Sequence, residues 1–176
     1  MPAQHLVPVV PLSEDACAPY GRMLGVPFQP GGAAPGFSNP STDFWRAHVF
    51  SPGQDGQTEV LWVNYRGRGP VNMLEVHYLT EQAIVPLTGA IVHVVANSQA
   101  DGSPDLASVR AFRIPPGQGI CMNPGCWHAT RVAGGEATCL MLTRRSTTLD
   151  LIAHMRDHAP ATESALRPVA EFALDL

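Results

Sequence analysis

The chain has no lysine. All eleven of its basic residues are arginine, so no Schiff-base lysine is available. An excess of positive charge is missing too. The 176 residues carry a formal net charge of −4, which argues against a nucleic-acid footprint. No apolar run approaches the length of a transmembrane helix. The opening stretch MPAQHLVPVV lacks the basic region and long apolar run of a signal peptide. Cysteine is confined to Cys17, Cys121, Cys126 and Cys139, with no Cys-x-x-Cys pair. Together these absences lead us to expect reduced thiols in a cytoplasmic protein with no membrane and no nucleic-acid partner. Cys121, Cys126 and His128 could be drawn together as a zinc set. No second pair completes it, so half-buried strand cysteines are the plainer reading.

What is present is short strands with turn residues between them. The length suits one domain over residues 1–176. Strand-like runs occupy 6–12, 44–50, 58–66, 71–79, 83–87, 90–96, 108–114, 119–123 and 137–144. They are rich in Val, Ile and Leu and are broken by Gly, Pro, Asn and Asp, which indicates an all-β sandwich or barrel. Ser13 is placed to cap a brief helical turn over 13–18. Residues 27–40 are a Pro/Gly loop with no periodicity. Leu149, Ile152 and Met155 stand at helical spacing, so 147–159 reads as a surface helix. His154 and His158 lie four apart on it, without the Glu that a His-Glu-x-x-His motif would add, and read as solvated. Residues 166–176 read as a final edge strand.

Two stretches carry candidate chemistry. In Gly69–Gly89, five residues separate Gly69 from Glu75, one separates Glu75 from His77, four separate His77 from Gln82, and six separate Gln82 from Gly89. In Gly117–His128, five separate Gly117 from Asn123, one separates Asn123 from Gly125, and two separate Gly125 from His128. Glu75 and His77 are two apart, so on a strand they share a face. Gln82 and His128, on neighbouring strands, can converge with them inside a small barrel. Four such N and O groups suit a metal site or an acid–base site. A hydrogen-bonded polar cluster with no chemistry is the alternative.

These spacings resemble the two motifs of the cupin superfamily, with Glu75 in place of the first His, Gln82 in place of the Glu, and Asn123 where Pro is usual. Longer segments are similar to one family, the ureidoglycolate lyases of allantoin and purine degradation. The matching segments are VVPLSEDACAPYGRML (9–24), LEVHYLTEQAIVPLTG (74–89) and SPDLASVRAFRIPPGQGICMNPGCWHA (103–129). The resemblance implies a cupin-like, jelly-roll β-barrel, a homodimer, and a carbon–nitrogen lyase splitting ureidoglycolate into glyoxylate and urea. This chain is a divergent member. Asn123 stands where the family has the His of a Tyr-His pair, and Ala129-Thr130 where it has His-Pro. Thr143 stands for an Asp of the last barrel strand and Thr88 for a Lys.

Ureidoglycolate carries a carboxylate, a hydroxyl and a urea nitrogen on one carbon. Its cleavage needs a base for the hydroxyl proton, an acid for the leaving nitrogen, and donors for the carboxylate. His77 and His128 are the proton-transfer candidates. Glu75 orients His77 or acts as base. Gln82, Arg66, Arg110 and Asn123 are candidates for holding substrate, with Arg113 as a third arginine. Alternatively, Glu75, His77, Gln82 and His128 bind a divalent ion such as Ni, Zn, Mn or Fe, with Gln82 a poor ligand. His93 reads as a core residue, and a ligand role for His48 is equally unsupported by the resemblance. Two other readings compete: a non-catalytic cupin binding a small carboxylic acid, and a metal-dependent cupin isomerase or oxygenase with Glu75, His77 and His128 around iron.

Overall fold

A computed structural model describes residues 5–176. The first four residues of the stretch read above for a signal peptide lie outside the described residues. Two β-layers form. The strands of the first layer are β1 (His5–Pro11), β6 (Val71–His77), β8 (Ile91–Ala96), β9 (Arg110–Ile114), β11 (Trp127–Val132) and β13 (Ser164–Asp175). They close a barrel in the order β1-β13-β6-β11-β8-β9. The second layer is a five-stranded sheet, ordered β2-β10-β7-β12-β5. Its strands are β2 (Gly21–Leu24), β5 (Thr58–Tyr65), β7 (Gln82–Pro86), β10 (Gly119–Met122) and β12 (Ala137–Arg144). The expected cupin-like all-β barrel is therefore present, with a sheet packed on its outside.

Alternation along the strands sorts residues between two cores. On β8, Val92, Val94 and Ala96 point into the barrel, where they meet Leu74, Val76, Trp127 and Phe172. Ile91 and Val95 point the other way and pack with Ile84, Ile120, Met122 and Met141 of the five-stranded sheet. β8 is buried on both faces, which explains its unbroken apolar run. The same rule governs β6. Leu74 and Val76 enter the barrel, which sends Glu75 and His77 into the space between the layers.

The helical turn α1 (Glu14–Cys17) starts where expected, with Ser13 Oγ accepting from the Ala16 N–H at 3.3 Å. The helix α2 (Arg145–Asp157) begins two residues earlier than read and ends at His158 in the left-handed region. Several expectations need correction. The run 44–50 is not a strand. Only its first two residues are extended, as the end of β4 (Thr42–Trp45), in an exposed hairpin with β3 (Gly36–Asn39), which falls inside what was read as loop. Residues 46–57 instead hydrogen-bond to the turn after β6, as in the Glu81 N–H to Ser51 carbonyl bond of 3.1 Å. β2 and β11 are additional strands. β11 reads Trp-His-Ala-Thr-Arg-Val, whose polar residues hide a strand that pairs with β8 along its whole length. β13 is no edge: it lies between β1 and β6.

Candidate active site

A cavity of about 230 Å³ opens between the layers. Its floor holds Glu75 and His77 from β6, Gln82 from β7 and His128 from β11. All four expected residues thus converge. The route differs from the expectation for one pair: Gln82 and His128 sit on different sheets and meet across the sandwich. His128 instead lies directly opposite Glu75 in the β6–β11 register.

Hydrogen bonds fix both rings. His77 Nδ1 is 2.9 Å from Ser164 Oγ, whose residue faces His77 across the β6–β13 pair. His77 Nε2 is 3.1 Å from Glu75 Oε1 and 2.9 Å from Gln82 Nε2. A carboxylate oxygen and an amide nitrogen thus approach the same ring nitrogen. A proton on Nε2 satisfies Glu75 and requires the Gln82 amide to turn its oxygen to the ring. A lone pair there suits Gln82 and leaves Glu75 facing another acceptor. His77 Nε2 is consequently placed to hold or give up a proton. His128 Nδ1–H donates to the Cys126 carbonyl at 3.1 Å, which leaves Nε2 as its acceptor. The two ring centroids are 5.2 Å apart. Behind His128, His93 stacks at 5.8 Å, bonded to Thr130 Oγ1 at 3.0 Å.

The electrostatics separate these groups. Burial pushes His128 down to about 4, and the Glu75 charge opposes that only in part. His128 is therefore neutral at pH 7. Burial alone would raise the Glu75 carboxyl. The hydrogen bond from His77, with the electrostatic influence of the two imidazoles, outweighs it and holds Glu75 below its usual range. Burial, with His128 adding to it, lowers His93 to about 3.

Apart from Thr143, sequence reasoning missed the walls. Leu61, Val63 and Tyr65 line one side from β5, and Thr143 lies near them on β12. The alternation of β5 was the available signal. Helix α2 roofs the cavity with Thr147, Thr148, Leu151, Ile152 and Met155. Tyr65 has its hydroxyl raised by burial first, and Glu75 adds to the rise, so it stays a hydrogen-bond donor.

A family model described as ureidoglycolate lyase matches residues 4–160. The chain belongs to the ureidoglycolate lyase family. A ureidoglycolate lyase of Chelativorans sp. is 29% identical over 142 residues, covering 77% of this chain and 82% of that protein. Another, of Rhodobacter capsulatus, is 30% identical over 124 residues, covering 68% of this chain and 74% of that protein. Among solved structures, a dTDP sugar isomerase from Desulfovibrio desulfuricans G20 matches with a TM-score of 0.44 at 11% identity, covering 77% of this chain and 80% of that one.

Against this family background, the substrate-holding arginines need correction. Among the described residues, none of the lining side chains is an arginine. Arg66 pairs with Glu136 on the surface. Arg110 is exposed on β9 and donates to the Val109 carbonyl at 2.7 Å. Arg113 is likewise exposed on β9. Asn123 is exposed too, in the turn between β10 and β11. Arg110, Arg113 and Asn123 belong to strand positions or turns whose side chains point away from the space between the layers. Of the departures from the family pattern, Ala129, Thr130 and Thr143 line the cavity. Thr88 accepts from the Thr138 N–H at the far end of β12.

The residues fit a divalent ion. Ligand atoms of Glu75, His77 and His128 all lie within 4.8 Å of one another, and two imidazoles with a carboxylate are a common N/O donor set. Gln82 hydrogen-bonds to His77 at the edge of this group. The imagined zinc set does not form: Cys126 Sγ turns to the Trp127 carbonyl, and Cys121 faces Glu81. His154 is held by the Ala159 carbonyl at 2.8 Å.

Proposed function

We propose that this protein is a carbon–nitrogen lyase that splits ureidoglycolate into glyoxylate and urea, within purine catabolism in the cytoplasm. The observation that supports this most is the convergence of Glu75, His77, Gln82 and His128 on one cavity floor, in a chain of the ureidoglycolate lyase family.

Each side chain has a role in the proposal. His128 Nε2, neutral and unpaired, accepts the substrate's hydroxyl proton. As the C–O bond becomes a carbonyl, the C–N bond breaks and its electron pair stays on nitrogen. His77 Nε2 delivers a proton to that nitrogen, and Glu75 holds the proton in place beforehand. Return of the proton from His128 to His77 resets the site, so atoms and charge balance without a redox partner. Gln82 fixes the ring of His77 and offers its free amide atoms to substrate. The Tyr65 and Thr143 hydroxyls take the carboxylate in place of an arginine. Leu61, Val63 and Leu151 give the cavity an apolar lining, which limits water and strengthens these contacts. Alternatively, Glu75, His77 and His128 would hold a divalent ion through the same ring nitrogens, and it would supply Lewis-acid polarisation of the hydroxyl and carboxylate in place of this proton transfer.

The test is glyoxylate release from racemic ureidoglycolate, with and without added Ni²⁺ or Mn²⁺. One observation favours a second reading, a non-catalytic binder of small carboxylic acids. Thr143 replaces the family's Asp, and no arginine lines the cavity among the described residues. Binding of glyoxylate without turnover of ureidoglycolate would support that reading.

We further propose a homodimer. β5 is an edge strand of its sheet, and its outward Val60 and Trp62 are 60% and 68% exposed. They pair across the ladder with Leu142 and Leu140. An apolar face on a sheet edge is what a second copy would cover.

A further inference from the structure

The outer face of the five-stranded sheet carries a second cluster, separate from the cavity. Cys121 lies on β10 between Arg22 of β2 and Ala83 of β7. Its neighbours Ile120 and Met122 fill the core between the layers, so the thiol points to the opposite face. There the segment 46–57 crosses the sheet and brings His48 over it. His48 Nε2 is 2.9 Å and 3.1 Å from the two carboxylate oxygens of Glu81. Cys121 Sγ is 3.8 Å from Glu81 Oε2. Ligand atoms of the three residues lie within 4.8 Å of one another.

We propose that His48, Glu81 and Cys121 form a second divalent-metal site, of the kind that takes Zn²⁺. The donor set is one thiolate, one imidazole and one carboxylate, which are the three protein ligand types of zinc. A sulfur donor excludes Mg²⁺ and Ca²⁺, which prefer all-oxygen shells. Three protein ligands leave a fourth position for water or for the second Glu81 oxygen. The other cysteines offer nothing similar: Cys17 and Cys126 turn to backbone carbonyls, and Cys139 is buried in the apolar core.

The surroundings suit such a site. Glu81 is already held by the Ser51 N–H at 2.7 Å. Gly53 and Gly56 pack the same segment against Leu79 and Arg144. The segment is therefore fixed in position before metal arrives, which lowers the cost of binding. Burial first, then the Glu81 charge, pushes the Cys121 thiol up to about 12. Without metal it is a protonated, unreactive thiol. Binding displaces that proton to solvent and makes the site pH-dependent. Arg22 is the cation beside the thiol; it favours the thiolate while opposing the metal's charge. A metal here would tie the 46–57 segment to β7 and β10.

The sulfur distinguishes this site from the cavity floor, which has none. Apo-protein is titrated with Co²⁺ under reducing conditions. The expected result is a near-ultraviolet thiolate-to-cobalt charge-transfer band in the wild type, removed by stoichiometric Zn²⁺. Cys121→Ser is expected to lose the band while keeping any sulfur-free cobalt binding at Glu75, His77 and His128. His48→Ala, on a surface segment that leaves the core intact, is expected to weaken Zn²⁺ at least about 100-fold in chelator competition, since loss of a ligand costs no less than loss of a ligand's partner. The proposal is overturned if the wild type gives no band, if Cys121→Ser keeps it, or if His48→Ala binds Zn²⁺ as the wild type does. Any of those results would leave His48 and Glu81 as a simple ion pair.

Discussion

At the scale of single residues, the molecule commits unusual groups to its interior. His93 and His128 are buried side by side, at about 3 and about 4 against an ordinary value of 6.5. Both are neutral in the folded protein at pH 7, whereas unfolded histidines bind protons from about 6.5 downward. Acid therefore favours the unfolded chain, and stability is lost as pH falls from 6.5 through the folded values. Glu75 acts in the same direction below its ordinary 4.5. We expect the urea midpoint to fall steadily below pH 6.5, and His93→Gln to make that decline shallower. An unchanged slope in His93→Gln would mean that His93 is not buried and neutral. The β5–β12 pair adds a residue that sequence spacing did not mark. Glu59 lies directly opposite Thr143 and has a buried Oε1 without a partner.

At the scale of elements, one crossing segment does more than its sequence announces. Gly53 has φ +79, and a Cβ there would come within 1.9 Å of the Leu79 carbonyl oxygen. Gly53→Ala should destabilise the protein by more than about 1 kcal/mol through both strain and clash, read from urea unfolding. Little change would show that the 46–57 segment is free to move away from the turn after β6. This segment was hard to read, because FWRAHVF has strand composition throughout but joins a ladder only at Phe44 and Trp45, while the chain beyond is held by the turn after β6. Elsewhere the period-two pattern was legible. Glu75 and His77 share a face because β6 alternates, and β8 is apolar throughout because both its faces are covered. The ladder partners were not legible. Spacing brought Gln82 and His128 together but did not assign them to opposite sheets. β11 escaped notice because His128, Thr130 and Arg131 interrupt its apolar residues. Arg66 and Arg110 looked suitable only by proximity in sequence; Arg66 leaves the end of β5 for a surface pair with Glu136, and Arg110 occupies an exposed position of β9. The roof of α2 was visible as Ile152 and Met155 at helical spacing, but not what lay beneath them.

At the scale of the whole molecule, the two proposed sites lie on opposite faces of the five-stranded sheet. The space between the layers holds the proposed proton-transfer groups, and the outer sheet face holds the proposed zinc ligands and, beyond them at β5, an apolar edge. If a second copy covers that edge, Trp62→Arg should convert a sedimenting dimer to a monomer at micromolar concentration without loss of fold. A monomeric wild type would exclude the dimer. No helix among the described residues is long and apolar enough to cross a membrane. The lyase reading itself depends on His77 and His128 moving protons. Glyoxylate release from racemic ureidoglycolate, measured for the wild type beside His77→Ala and His128→Ala, tests it directly. We predict turnover by the wild type and a loss of about 10²–10⁴-fold in each folded variant. No glyoxylate from the wild type with or without added metal, or full activity in both variants, would contradict it.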